Sequence, residues 1–232
     1  MFDALTQTEW EAIRLSLRIA TVAMIASLPL GVAVAFILAR CRFPGRTIVD
    51  GIVHLPLVMP PVVTGYLLLL LFGRRGPIGA WLESTFGIVL AFRWTGAALA
   101  CAIMGFPLMV RAIRLSIEAI DSRLEAAAAT LGAHRMAVFA TITLPLMLPG
   151  LIAGMLLAFA RALGEFGATI TFVGNIPGET QTIPTAIYTF IQVPGGEFDA
   201  LRLAVVSVVI AFGALIASDV LARRARRKVF GQ

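Results

Sequence analysis

The chain has 232 residues, of which 59% are hydrophobic and 14% charged, against about 25% charged in an ordinary soluble domain. A mean hydropathy of +0.93, with no polar stretch long enough to fold separately, excludes a soluble globular protein and points to one membrane domain over residues 1–232. The formal charge of +6 and the pI near 10.6 could suit a nucleic-acid binder, but the placement of the charges argues against nucleic acid and for the lipid bilayer.

A helix needs about 20 apolar residues to cross the hydrocarbon core, and five segments qualify. Residues 1–14 carry acids and lack a basic region followed by a small-residue cleavage site, so no cleavable signal peptide is expected. The first span is predicted over 15–39. Arg40, Arg42 and Arg46 follow it, with Cys41 among them. The second span is predicted over 49–72 and contains Pro56, Pro60 and Pro61. Prolines inside a span free carbonyls that neighbours or water must satisfy. This helix is therefore either one that lines a cavity or an ordinary kinked one. His54, near its start, is read as interfacial packing. The third span, predicted over 92–115, holds Cys101; the two cysteines are not spaced as a metal site or redox pair.

The fourth and fifth spans are predicted over 146–173 and 200–222, and together with the first three they make an all-α polytopic architecture. Between them, residues 174–198 hold an apolar run from Ile183 to Val193 that is too short to cross, read as a re-entrant or interfacial helix. Within the fourth span, Gly150 and Gly154, then Gly164 and Gly167, are read as permitting close helix packing. Arg111, Arg114, Arg123 and Arg135 surround the third connection, and Arg223, Arg224, Arg226, Arg227 and Lys228 end the chain. With the arginines after the first span they outnumber those on the alternate side, Arg14, Arg18, Arg74, Arg75, Arg93 and Arg202. The positive-inside rule then places the N-terminus outside and the C-terminus in the cytosol.

The connection over 121–145 is long and not disordered in character. Glu125 opens a run of alanines that favours helix. Asp121 or Ser122 can cap it, Glu125 suits the positive end of its dipole, and Gly132 stops or bends it. Its small side chains leave the backbone accessible to a partner's groove. From Gly132, nine residues lead to Ile142-Thr143-Leu144-Pro145, where the chain re-enters the membrane.

This spacing resembles the EAA loop of ABC-importer permeases, in which E-A-A, three residues, glycine and nine residues precede I-x-L-P. Ala126, Ala127 and Ala128 occupy the E-A-A positions, and Glu125 stands seven residues before Gly132 rather than six. The resemblance implies a helix, with Glu125, Ala126–Ala128, Gly132, Ala133, Ile142, Leu144 and Pro145 coupling the chain to a separate cytosolic ATPase. This chain has no G-x-x-x-x-G-K-[ST] loop and no grouped catalytic triad or metal set. It is read as a non-enzyme that binds no cofactor, while ATP and Mg are used by the partner.

Three further stretches, Leu55 to Tyr66, Arg161 to Thr169, and Asn175 to Glu197, are similar to the molybdate branch of these permeases. The second is also similar to sulfate permeases. The resemblance implies a homodimer in a bacterial inner membrane, with the path on its two-fold axis, two ATPase subunits and a periplasmic oxyanion-binding protein. A doubly charged oxyanion crossing without tight capture suits backbone N–H groups and hydroxyls. Pro60, Pro61, Thr64 and Gly65, with Thr169 and Thr171, are the candidates. Arg161 and Glu165 share a helix face and read either as part of the path or gate, or as a structural pair. A charge in a span costs about 2.5–3.5 kcal/mol on insertion scales, so both are expected to face the interior. The alternatives are a sulfate or thiosulfate permease, a tungstate permease, and a secondary transporter or channel. The last would often show an internal repeat, and none is evident. An enzyme would need a convergent polar cluster, and a scaffold leaves the proline-broken spans unexplained.

Overall fold

The structure, a computed structural model, describes residues 5–230, with the side chains at 218, 219, 222 and 225–230 outside that description. Arg226, Arg227 and Lys228 of the basic C-terminal cluster therefore lie outside the described side chains.

Helix α1 (Gln7–Arg40) starts at a capping box: the Glu9 carboxylate accepts from the Thr6 N–H at 2.6 Å, and the Thr6 hydroxyl accepts from the Glu9 N–H. Gly45, at φ +87°, begins α2 (Arg46–Val58). Helix α3 (Pro61–Phe72) follows at 111° to α2. The span expected over 49–72, read from its prolines as cavity-lining or kinked, is thus two helices meeting at a sharp bend. A residue before proline is pushed out of the α region, and Met59 and Pro60 are both extended, at ψ 143° and 132°. Two consecutive residues outside α geometry turn the chain.

After α4 (Pro77–Phe86), helix α5 (Trp94–Glu118) runs through the centre of the bundle. Helices α6 (Ser122–Thr130) and α7 (Arg135–Val138) lead into a single π-turn, Phe139–Thr143, and then α8 (Leu144–Leu163). The π-turn has a local cause. Pro145 has no N–H for the Thr141 carbonyl and its ring crowds that turn. The Leu144 N–H instead bonds back to Phe139, widening the helix by one residue.

The crossing predicted over 146–173 stops at Leu163, a correction to its extent. Gly164 leaves the helix, and the Glu165 carboxylate accepts from the Ala168 N–H at 2.7 Å. That bond starts a separate α9 (Gly167–Val173). Residues 174–196 hold the short α10 (Ile183–Phe190), and α11 (Glu197–Phe230) closes the described residues. Among the described residues, four helical stretches are long and apolar enough to cross a membrane, Gln7–Arg40, Trp94–Glu118, Arg135–Leu163 and Glu197–Ala217; the bent pair α2–α3 makes five if it is one crossing.

Small residues let the backbones close on α5, as expected where helices pack without a hydrophobic driving force. A methyl on Gly154 would meet the Met109 carbonyl at 2.9 Å, and one on Gly105 the Ala158 carbonyl at 3.1 Å. Gly164, by contrast, has no close neighbour beyond its own helix and acts as a terminator. Ala97, Cys101 and Met104 of α5 meet Ile19 and Ala23 of α1 and Phe172 of α9 in one cluster. Val110, Ile113 and Ile117 meet Leu38 of α1 and Met147 of α8 in another.

Candidate coupling and translocation sites

Asp121 caps α6, its carboxylate accepting from the Arg123 N–H at 2.9 Å. Gly132 adopts φ +85°, a conformation that glycine reaches without a Cβ penalty. It lets the Ala133 N–H turn back to the Ala128 carbonyl at 3.1 Å and stop the helix. No side chain of α6 is buried. Ala126, Ala127 and Ala129 are exposed. Around them, Leu131 is 89% exposed, Met136 71% and Leu124 49%. These three apolar side chains are additions to the sequence reading, whose signal was leucine and methionine inside a connection otherwise read for its alanines.

Glu125 differs from its neighbours. Its Oε1 accepts from Arg40 Nη2 of α1 at 3.1 Å and from the Thr143 hydroxyl of the π-turn at 2.8 Å. The same Arg40 nitrogen donates to the Ile120 carbonyl at 3.3 Å. The acid thus faces the spans and joins three elements. Ile142 and Leu144 are half-buried on either side of the fully buried Thr143, and Pro145 stands in the first turn of α8. Between α1 and the coupling segment lies a cavity of about 580 Å³ lined by Pro29, Phe36, Ala129, Met136 and Phe139 among others.

The other predicted residues gather where α3 crosses α9. Gly65 faces the Ala168 backbone and Gly167 faces Pro61, which a methyl at Gly167 would approach to 2.8 Å. Thr64 is buried beside them, and its hydroxyl has no hydrogen-bond partner among the described residues. Pro60 caps α3 and is exposed. Arg161 lies 2.6 Å from Glu165. Thr169 and Thr171 direct their hydroxyls to the carbonyls of Phe166 and Gly167, at 2.9 and 2.8 Å. A hydroxyl so engaged has no proton left for an anion.

Two polar clusters join elements that are remote in sequence. Glu9, fully buried, accepts from Arg202 Nε at 3.0 Å and Nη2 at 3.3 Å, tying the start of α1 to α11. Arg114 of α5 donates to Asp50 of α2 at 2.9 Å and to Glu118 at 2.8 Å. Because α2 buries no side chain, such ion pairs are prominent among its ties to the bundle. His54 stays on α2, its Nδ1 2.9 Å from the Asp50 carbonyl oxygen.

Residues 27–227 match the family model described as the binding-protein-dependent transport system inner membrane component. The molybdenum transport system permease protein ModB of Escherichia coli K12 is 59% identical over 224 residues, covering 97% of this chain and 98% of that protein. Its counterpart in Haemophilus influenzae is 55% identical, covering 95% and 96%. The sulfate transport system permease protein CysT of E. coli K12 is 38% identical, covering 95% of this chain and 79% of its own. Among solved structures, a bacterial ABC transporter that imports the acidic polysaccharide alginate aligns with a TM-score of 0.74 at 18% identity, covering 94% of this chain and 80% of that one. That likeness concerns the fold.

Proposed function

The chain belongs to the inner membrane components of binding-protein-dependent transport systems, and on that premise we propose that it is the permease subunit of an ATP-driven molybdate importer. The observation that carries the substrate is near-full-length identity of 59% to a molybdenum permease, against 38% to a sulfate permease. Tungstate, a tetrahedral oxyanion of nearly the same size, falls within the same reading.

In this reading two copies of the chain enclose the path. A periplasmic binding protein delivers the oxyanion, and a separate ATPase subunit uses ATP and Mg on the cytosolic side. The N-terminus is outside, so α6 and the Arg40 end of α1 face the cytosol. Ala126 to Gly132, with exposed Leu124, Leu131 and Met136, form the surface that seats in the ATPase; apolar side chains so open to water suit a partner's cleft. Pro60, Pro61, Thr64 and Gly65 on α3, and Arg161, Glu165 and Thr169 around the Gly164 break, border the path. The α2–α3 bend and the α8–α9 break place interrupted helices side by side, an arrangement suited to passing an ion between weak contacts. Glu165 neutralises Arg161, so this pair does not hold the anion tightly, and selection falls to the binding protein.

The test is ATP-dependent uptake of labelled molybdate into vesicles carrying the chain, its ATPase and its binding protein. Uptake blocked by excess tungstate but not by sulfate is the expected result. Uptake of sulfate instead would move the chain to the sulfate branch.

A further inference from the structure

Glu125, in the first turn of α6, does not point toward the surface where a partner would sit. We infer that Glu125 is the joint through which movement of the coupling helix reaches the membrane spans, acting on Arg40 of α1 and Thr143 of the π-turn together. This inference rests on the docking role given to α6 above and adds the path by which docking becomes transport.

Three observations carry it. First, α6 buries no side chain, and a cavity of about 580 Å³ separates it from α1. A push on α6 therefore has little apolar packing through which to travel, and packed or hydrogen-bonded contacts are what carry coupling between sites. Second, one carboxylate oxygen takes both contacts, Arg40 at 3.1 Å and Thr143 at 2.8 Å. Displacing α6 displaces the end of the first span and the entrance of α8 at once. Third, both receiving groups have room for a second arrangement. Thr143 lies in a π-turn, which relaxes to α by shifting register one residue. Arg40 keeps a buried Nε with no hydrogen-bond partner among the described residues, a spare donor for a re-formed contact. The guanidinium also holds the Ile120 carbonyl at 3.3 Å, so the residue preceding the Asp121 cap of α6 moves with the joint.

The seven-residue separation of Glu125 from Gly132 is consistent with this role. On a helix of 3.6 residues per turn, one position is about 100°. An acid one place later would leave the direction of Arg40, where the exposed Ala126 now stands.

The test uses the assembled complex in proteoliposomes with its binding protein, scored by oxyanion taken up per ATP hydrolysed. Glu125→Gln keeps the shape and an acceptor for Thr143 but removes the charge facing Arg40. Its expected result is native retention of the ATPase, hydrolysis within about twofold of native, as for a substitution that spares the partner surface, and uptake per ATP lowered about tenfold, a typical size for coupling between sites. Arg40→Gln leaves every residue of α6 native and is expected to show the same loss. The paired exchange Arg40→Glu with Glu125→Arg is expected to recover part of the ratio, which would place the loss in the contact between the two residues rather than in either one alone. A native ratio in Arg40→Gln overturns the inference even if Glu125→Gln fails to assemble. If the unsubstituted chain does not retain the ATPase, the docking role fails instead, and the two failures are distinguished.

Discussion

A methyl group added to Gly65 would lie 2.5 Å from the carbonyl oxygen of Ala168 and 2.9 Å from its Cα. Helices α3 and α9 are therefore in backbone contact at this point, and the contact lies between the two proline-bent or glycine-broken elements that border the proposed path. Gly65→Ala forces the helices apart, since backbone atoms cannot move aside as a flexible side chain can. Overpacking of this kind costs about 1–3 kcal/mol. The expected outcome is a lower thermal midpoint of the purified protein and impaired uptake. Gly51→Ala on α2, where nothing lies within 4 Å, is the matched control and should leave uptake unchanged and the thermal midpoint the same or slightly higher, since alanine favours a helix interior over glycine.

Gly132 makes a second kind of demand, on conformation rather than space. Its φ of +85° is outside the reach of proline, whose ring fixes φ near −65°. Gly132→Pro cannot end α6 as the native chain does, and the Ala133 N–H loses its return to Ala128. Stimulated ATP hydrolysis by the purified complex should be abolished while the chain stays in the membrane. Gly132→Ala, with open space around it, pays only the left-handed penalty of about 1–2 kcal/mol and should retain part of the stimulation. Normal stimulation in the proline variant would remove the coupling role of this turn.

The long apolar spans are legible in the sequence because a stretch near the bilayer thickness leaves a chain few choices. The capping of α6 and its glycine stop are legible for a similar reason: short-range chemistry fixes them within a few residues. The direction of α3 is not. Prolines announce a break at Met59–Pro60, but the 111° angle accompanies a contact with α9, about a hundred residues later. The end of α8 at Leu163 is not legible, because the run through 173 is mostly apolar; the Glu165 carboxylate, reaching forward to Ala168, outweighs that pattern. Glu125 is legible for the helix dipole and, through the resemblance, for coupling, but not for its contacts, since its partners Arg40 and Thr143 come from other elements. Glu9 and Arg202, 193 positions apart, form a pair that no local spacing could reveal.

That pair carries a stability prediction. Glu9 is fully buried, and Arg202 reaches it with two nitrogens while also meeting Asp199 at 2.5 Å. Such forked contacts combine charge with fixed geometry. Arg202→Ala leaves a buried carboxylate whose charge has lost its partner, a change that typically costs about 3–5 kcal/mol. Thermal unfolding in detergent should show a large drop. Replacing both residues, Glu9→Met with Arg202→Met, removes the charges together and should cost less than the single change. A double variant less stable than Arg202→Ala would show that the pair contributes net stability beyond cancelling its own burial.

Thr64 separates structure from transport most cleanly among the path candidates. Its hydroxyl is buried without a hydrogen-bond partner among the described residues, whereas those of Thr169 and Thr171 are directed to their own helix. Burying an unpaired hydroxyl is unfavourable, so Thr64→Val, which keeps the branched shape, should be neutral or stabilising in thermal unfolding. If the hydroxyl donates to the passing oxyanion, the same substitution removes a hydrogen bond to a charged group, which at about 1.5–3 kcal/mol corresponds to roughly tenfold or more in rate. The expected result is unchanged or higher stability, native ATPase retention and molybdate uptake slowed about tenfold, with Thr64→Ser restoring most of the rate. Native uptake in Thr64→Val would remove Thr64 from the path and leave its hydroxyl as an uncompensated cost of packing α3 against α9.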